Sequence, residues 1–326
     1  MINLISDTIT KPTPGMLQAM MQAEVGDDVF NDDPTVNALQ EKAAALFGRD
    51  AALFCPSGTM CNQIALQIHT GPLEEVICDE LSHIYRAETG GVAHQARLAT
   101  KLLKGEHGKI TAEQIAAAIN PPHDWLPLSS LVVIENTANI GGGSYYTLDE
   151  VQPIRTLCDK TGLALHLDGA RLFNALTETR ETPRAWGRVF DSISICLSKG
   201  LGAPIGSLLI GDRDFIRQAR RFRKVMGGGM RQAGFLAAAG IYALDHHIER
   251  LQDDHKRAKI LANCLAELDF IENIRPVATN ILIFDVKKPL TAEKYLQRLN
   301  EKGIRASAFG PQTVRFVTHL DFDDAM

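Results

Sequence analysis

Short apolar runs separated by helix-length amphipathic stretches set the pattern of most of this chain. Residues 51–55, 131–134, 163–167, 193–197 and 207–210 are apolar at most positions and are flanked by polar or glycine-containing stretches. Runs of that length without polar alternation predict strands buried on both faces. Helix-length segments lie between several of them, which predicts a mainly parallel sheet covered by helices, an α/β fold. One helix carries signals at both ends: Asp32-Asp33-Pro34 starts it, Val36, Leu39, Ala43 and Leu46 follow at helical spacing, and Gly48 stops it. From about Asp245 the pattern changes. An amphipathic stretch with Ile248, Leu251, Ala258, Leu261 and Leu265 leads into an apolar run at 280–284. Thr291 then caps a helix through Leu299, and 314–317 reads as a last strand. This predicts an arm and large unit over 1–245 and a small α+β unit over 246–326. No repeat and no Pro-, Gly- or Ser-rich linker separates them.

Composition narrows the class. The 326 residues are 45% hydrophobic and 22% charged with a formal charge of −5, which is ordinary for a globular protein and gives no general pull toward nucleic acid or membrane. The densest basic stretch, Arg217, Arg220, Arg221, Arg223 and Lys224, reads as a solvated helix face or a subunit contact. The cysteines at 55, 61, 78, 158, 196 and 264 match no zinc or disulfide spacing, and several lie in apolar runs. The first residues lack the features of a signal peptide and no apolar run reaches membrane length, so the expected location is cytoplasmic.

Three short segments carry candidate chemistry. Ser57-Gly58-Thr59 follows a strand and opens a helix with Met60, Ile64, Ala65 and Ile68 on one stripe. Free N–H groups there suit a phosphate, although an ordinary helix cap has the same appearance. Asp168 and Arg171, in His166-Leu167-Asp168-Gly169-Ala170-Arg171, stand where open parallel sheets bind ligands, just past a strand. An aspartate there could hold a cation, a metal or a ribose hydroxyl, or cap the next helix. Lys199 ends the apolar run 193–197 and precedes Gly200; burial of such a lysine favours the neutral amine that attacks carbonyls, while a snorkelling lysine is the plain alternative. Together the three supply what a pyridoxal 5'-phosphate pocket requires: an anchor for the phosphate, a carboxylate for the pyridine nitrogen and an amine for the Schiff base.

The chain resembles the low-specificity L-threonine aldolase family, pyridoxal-phosphate enzymes of fold type I in the aspartate aminotransferase superfamily. The resemblance rests on Ser6-Asp7-Thr8-Ile9-Thr10, Val25-Gly26-Asp27-Asp28-Val29, Asp32-Asp33-Pro34, Ser57-Gly58-Thr59, His83, Glu135-Asn136-Thr137, the His166–Arg171 segment, Cys196-Leu197-Ser198-Lys199-Gly200, Gly227-Gly228-Gly229-Met230-Arg231-Gln232 and Val317-Thr318-His319-Leu320, in order over nearly the whole chain. It implies that Lys199 carries the cofactor, Asp168 pairs with its ring nitrogen, and His83 stacks on the ring. Gly58 and Thr59 would bind the phosphate. Arg171, Arg315 and Ser6 would hold the substrate carboxylate, and Arg231, with Lys224, would reach a neighbouring subunit's cofactor. The implied assembly is a homodimer or homotetramer with shared sites. The implied reaction is retro-aldol cleavage of threonine or allo-threonine to glycine and acetaldehyde, with His83 or a water it orients as the base, and no metal. A racemase, decarboxylase or other lyase would use the same pocket, and a silent binding homologue is the alternative outside enzymes. The chain departs from the family where histidines are usual, with Trp125 before the strand entering Glu-Asn-Thr and Ala138 after it, followed by Gly141-Gly142-Gly143. It also stops at Met326, where relatives continue into a further helix. Exposed apolar surface on the small unit is therefore expected.

Overall fold

A computed structural model describes residues 1–326. The central sheet has seven strands: β1 (Ala51–Cys55), β2 (Glu74–Asp79), β3 (Ala99–Leu103), β4 (Leu128–Glu135), β5 (Ala164–Gly169), β6 (Ser192–Cys196) and β7 (Ser207–Gly211), in the order β1-β7-β6-β5-β4-β2-β3. All neighbours are parallel except β7, which runs antiparallel to both β1 and β6. The buried-strand reading therefore holds for all five runs, and the parallel reading fails only for the last. A tight return from Lys199 to Gly206 replaces the crossover helix there, so β7 must reverse direction. β2 and β3 are additions: β2 opens on Glu74-Glu75, and β3, the edge strand, is only half-buried, so neither carries a continuous apolar run.

Helices cover both faces. α1 (Pro34–Phe47) starts where Asp33 accepts from the Val36 N–H (2.9 Å) and stops at Gly48, whose φ of 61° suits glycine. Its deepest residues are Val36, Leu39, Ala43 and Phe47, while Leu46 is only partly buried. α2 (Gly58–His69) runs from the carboxyl edge of the sheet to its opposite edge. α3 (Arg213–Val225) carries the basic stretch; Arg217, Arg221 and Lys224 are exposed as on a solvated face, but the structure corrects that reading for Arg220 and Arg223. Arg223 is 2% exposed, pairs with Asp28 (2.6 Å) and donates to the Phe54 carbonyl, and Arg220 donates to the Asp28 carbonyl. These cations fasten the segment around Asp28 to the sheet.

A second, antiparallel sheet is built on the strands Ile281–Val286 and Thr313–Val317, with Leu282, Phe284, Val314 and Phe316 in its core. The first residues join this unit. Ile2 and Asn3 pair with Ile304 and Arg305, and Leu4 is buried in its core. Five of the six cysteines are buried and none is disulfide-bonded. No helix is long and apolar enough to cross a membrane.

Candidate active site

The carboxyl ends of adjacent strands gather the polar residues. Glu135 ends β4 and lies in register with Asp168 of β5; Lys199 stands three residues past β6. The Lys199 turn is held from several sides: the Gly202 N–H donates to the Lys199 carbonyl (2.8 Å), His247 Nδ1 to the Leu201 carbonyl (2.7 Å) and Arg250 to the Gly200 carbonyl (3.3 Å). The lysine itself is half-buried and close enough to Asp7 to help keep that carboxyl ionised.

Asp7 is fully buried and organises the cationic side of the site. Arg171 donates to both its oxygens, Nε to Oδ2 (2.8 Å) and Nη2 to Oδ1 (2.6 Å), and Asn280 adds a third, longer bond. Burial alone would raise the Asp7 pKa, but the Arg171 guanidinium and these bonds hold it well below the usual carboxylate range. The same pairing raises the pKa of Arg171 against the effect of burial. Arg315 is placed differently. Its Nη1 donates to Asn139 Oδ1 (2.7 Å) and Nη2 to the Ile5 carbonyl (3.0 Å), its plane lies on Phe309, and its buried Nε has no partner. Burial and the neighbouring Arg171 charge push its pKa down to about 10. Ser6, between Ile5 and Asp7, lies beside both arginines, although its Oγ also caps the following turn by accepting from the Thr8 N–H (3.2 Å). A buried guanidinium without its own counter-ion is electrostatically short of one negative charge, and a ligand carboxylate would supply it.

The other side of the site is acidic. His83 opens a short helix, Nδ1 against Glu88 Oε1 (2.9 Å), and its backbone N–H donates to Glu135 (3.1 Å). Burial lowers the imidazole pKa, but the Glu88 bond and the charges of Asp168, Glu88 and Glu135 more than offset this, so His83 titrates above the ordinary histidine value. Burial and Asp168 push Glu135 up to about 7. Asn62, from α2, donates to Glu88 Oε1 (2.9 Å) and to Asp168 Oδ2 (2.8 Å), and Gln63 donates to Glu88 Oε2 (2.6 Å). Ligand atoms of His83, Glu88 and Asp168 lie within 4.8 Å of one another, a spacing a cation could use. Here the Glu88 and Asp168 oxygens already accept from Asn62, and the Glu88 oxygen also faces the basic His83 ring, which reads as an ion-pair network.

The N-terminus of α2 completes the site. Ser57 caps it by accepting from the Met60 N–H (3.2 Å), and Gly58 sits over Cys196, where a Cβ would come within 2.7 Å of Sγ. Ser57, Thr59, Gln63 and Glu88 line a cleft of about 520 Å³. A phosphate fits the free N–H groups at this end, a ring nitrogen fits beside Asp168, and an aldehyde fits at Lys199, so the residues present suit pyridoxal phosphate. A larger cleft of about 750 Å³ lies between Phe270, Leu290 and Tyr295 and contains none of these residues.

Two groups of expected residues lie elsewhere. Arg231 is exposed and pairs with Asp27 (2.8 Å), and the Lys224 charge acts on the same carboxylate. Trp125 is 77% exposed, stacks on His123, and precedes β4 at the sheet edge opposite Asp168. Ala138 is buried, with its Cβ packed against Gly108 and Gly141. Sequence reasoning assigned no role to Asp7, Asn62, Gln63, Glu88, Glu135 or Asn139. The adjacent polar pair Asn62-Gln63 in an otherwise apolar helix centre was the available signal for two of them; Glu88 lies in a stretch without periodicity and gave none.

Residues 3–289 match the beta-eliminating lyase family. Over 98% of its length the chain is 42% identical to the low specificity L-threonine aldolase of Escherichia coli K12 and 40% identical to low-specificity L-threonine aldolase 1 of Arabidopsis thaliana, covering 94% and 91% of those proteins. The chain belongs to the low-specificity L-threonine aldolase family. Its fold matches a solved Leishmania major threonine aldolase with a TM-score of 0.86 at 23% identity, covering 100% of this chain and 96% of that one. A Sphingomonas wittichii serine palmitoyltransferase shares the fold at a TM-score of 0.77 and 16% identity, covering 99% and 84%. The architecture is therefore fold type I.

Proposed function

We propose that this chain is a pyridoxal-phosphate aldolase that cleaves L-threonine, L-allo-threonine and related β-hydroxy-α-amino acids to glycine and an aldehyde. The observation that carries the reading is Arg315, a buried guanidinium with an unpartnered Nε, set close to Arg171 and Asp7. It supplies an amino-acid carboxylate site on the side of Asp7, whose charge Lys199 also feels, and similarity over nearly the full length to L-threonine aldolases points to the substrate class. The cofactor, when bound through Lys199, supplies the electron sink for the Cα carbanion.

The side chains do the rest. Arg315 and Ser6 grip the carboxylate, with Arg171 held in place by Asp7. That grip fixes rotation about the bond from nitrogen to Cα and so selects which bond at Cα is broken. His83 would lie against the cofactor, and its imidazole, or a water it orients, receives the β-hydroxyl proton. Gly58 and Thr59 would hold the cofactor's phosphate. Arg231 and Lys224, exposed beside Asp27, extend into the site of a neighbouring copy in a homodimer or homotetramer.

The test is the visible spectrum of the purified protein with pyridoxal phosphate, followed by product analysis with L-threonine and L-allo-threonine. A cofactor band absent from Lys199→Ala, with glycine and acetaldehyde in equal amounts, supports the reading. A colourless protein overturns it. Carbon dioxide, a D-amino acid, or 2-oxobutanoate with ammonia would move it to a decarboxylase, racemase or β-lyase.

A further inference from the structure

A continuous line of buried polar groups crosses the sheet from Asp168 to the opposite edge. Asn62 Nδ2 donates to Asp168 Oδ2 (2.8 Å); Asn62 Oδ1 lies 3.2 Å from His166 Nε2 and accepts from Ser194 Oγ (2.7 Å). His166 Nδ1 lies 2.7 Å from Ser192 Oγ, and Ser192 Oγ lies 2.7 Å from Nε2 of His69, the last residue of α2. His166, Ser192, Asn62 and Ser194 are all at most 1% exposed.

The direction of every bond in this line follows from its inner end. The Asn62 amide faces two carboxylates, Asp168 and Glu88, so its NH₂ must point at them and its carbonyl away. His166 Nε2 then faces a carbonyl oxygen and must carry the proton. Burial and the neighbouring His69 depress the His166 pKa to about 3, so the ring is neutral and Nδ1 is bare. Ser192 must give its only proton to Nδ1, and its oxygen can then only accept, which places a proton on Nε2 of His69. His69 stacks on Phe215 with ring centroids 4.8 Å apart, feels the charges of Asp191 and Asp212, and lines a surface cleft of about 510 Å³.

We propose that His69, Ser192, His166 and Asn62 form a one-way hydrogen-bonded chain through the sheet whose donors all point toward Asp168, and that they act as positioning residues for that carboxylate. Each bond polarises the next, so the far end is felt at the near end. The chain fixes the orientation of the Asp168 carboxylate and supplies donors, not acceptors, to its protein side. This inference rests on the reading that Asp168 pairs with the cofactor's ring nitrogen. On that reading the donors satisfy the carboxylate from the protein side, which favours the shared proton staying on the ring nitrogen. Asn62 has a second function in the same geometry: its other N–H holds Glu88, which orients His83, so one amide sets both groups that flank the ring.

The experiment has two parts. In the cofactor-free protein, ¹⁵N NMR of His166 should show a neutral ring protonated on Nε2 from pH 5.5 to 8.5; protonation on Nδ1 overturns the direction assigned here. In the cofactor-loaded protein, the pH midpoint of the visible band is followed in Asn62→Leu, Ser192→Ala, His69→Phe and His69→Gln, the last of which keeps a donor at the Nε2 position. The midpoint should move up in the first three, by about 0.3 or more for the two remote changes, and return toward wild type in His69→Gln. A wild-type midpoint in both Ser192→Ala and His69→Phe overturns the chain, whatever Asn62→Leu does. Failure of the wild type itself to acquire a band is a failure of the cofactor reading, and the NMR result then stands or falls alone.

Discussion

Two guanidiniums share the space beside Asp7, and they are not equivalent. Arg171 has its carboxylate within the protein, while Arg315 has only neutral acceptors, and its depressed pKa records the difference. A ligand carboxylate should therefore depend more on Arg315. Arg315→Lys keeps the charge but loses the planar fork, so KM for the amino acid should rise about 10- to 100-fold with a smaller fall in kcat, as steady-state kinetics would read. Asp7→Asn should loosen Arg171 and strand a buried cation. Thermal unfolding should show a loss of about 3–5 kcal/mol, and added carboxylate ligand should recover part of it. The motif Ser6-Asp7-Thr8 was visible in the sequence and its serine was assigned a role. The aspartate was not, because its partner is 164 positions away and no local pattern reports such a pair.

At the scale of elements, glycines decide how closely the site's parts approach. Gly58 opens α2 against Cys196, where a Cβ would sit 2.7 Å from Sγ. Gly58→Ala should weaken pyridoxal phosphate binding by about 10-fold or more through a displaced helix start, and Gly58→Ala with Cys196→Ala should recover most of it, as a cofactor titration would show. The triglycine turn is equally constrained. Arg275 donates to the Ile140 carbonyl and Thr279 to the Gly143 carbonyl, so the turn links β4 to the small unit and presents Asn139 to Arg315. A Cβ at Gly141 would run into the His107 carbonyl oxygen. Gly141→Ala should cost about 1–3 kcal/mol of stability and raise KM, seen in melting curves and kinetics together. The five strands read from the sequence, β1 and β4 to β7, were legible because burial on both faces leaves an unbroken apolar run. β3 was not, because every position in it is exposed or half-exposed, and the antiparallel turn of β7 depends on a short return that hydrophobicity does not describe.

For the whole molecule, buried titratable groups set the pH range of stability. His166 and His69 have folded pKa values of about 3 and about 4 against 6.5 when free. As pH falls below 6.5 the unfolded chain takes up these protons first, so stability present above 6.5 is lost on acidification. Glu135 acts in the opposite sense. Its folded pKa of about 7 exceeds the free value of 4.5, so its contribution is complete below 4.5 and is lost as pH rises through 7. The melting temperature of the cofactor-free protein should therefore rise from acid pH and level off at about pH 6–7, where the histidine gain is nearly complete. Glu135→Gln should steepen the rise between about pH 4.5 and 7, because it removes the opposing loss, and should change the slope little at about pH 8 and above. The apolar run at 280–284 and the strand at 314–317 were readable, and the two pair in the second sheet. The placement of the first residues was not: Ile2 and Asn3 are too few to show a period, and they find their sheet partners at Ile304 and Arg305.

That pairing bears on how the protein is made. The strand that receives Ile2 and Asn3 is synthesised long after them, and the arginine that leans on Ile5 lies 310 positions beyond it. At ordinary elongation rates the interval is about 15–60 s. In the last third of that time the α/β sheet, complete once Ser207–Gly211 is made, can assemble around Asp168 and Lys199 while Arg315 is not yet present and the arm is not anchored. The residues proposed to hold the cofactor are thus made before Arg315, the side chain proposed to hold the substrate carboxylate.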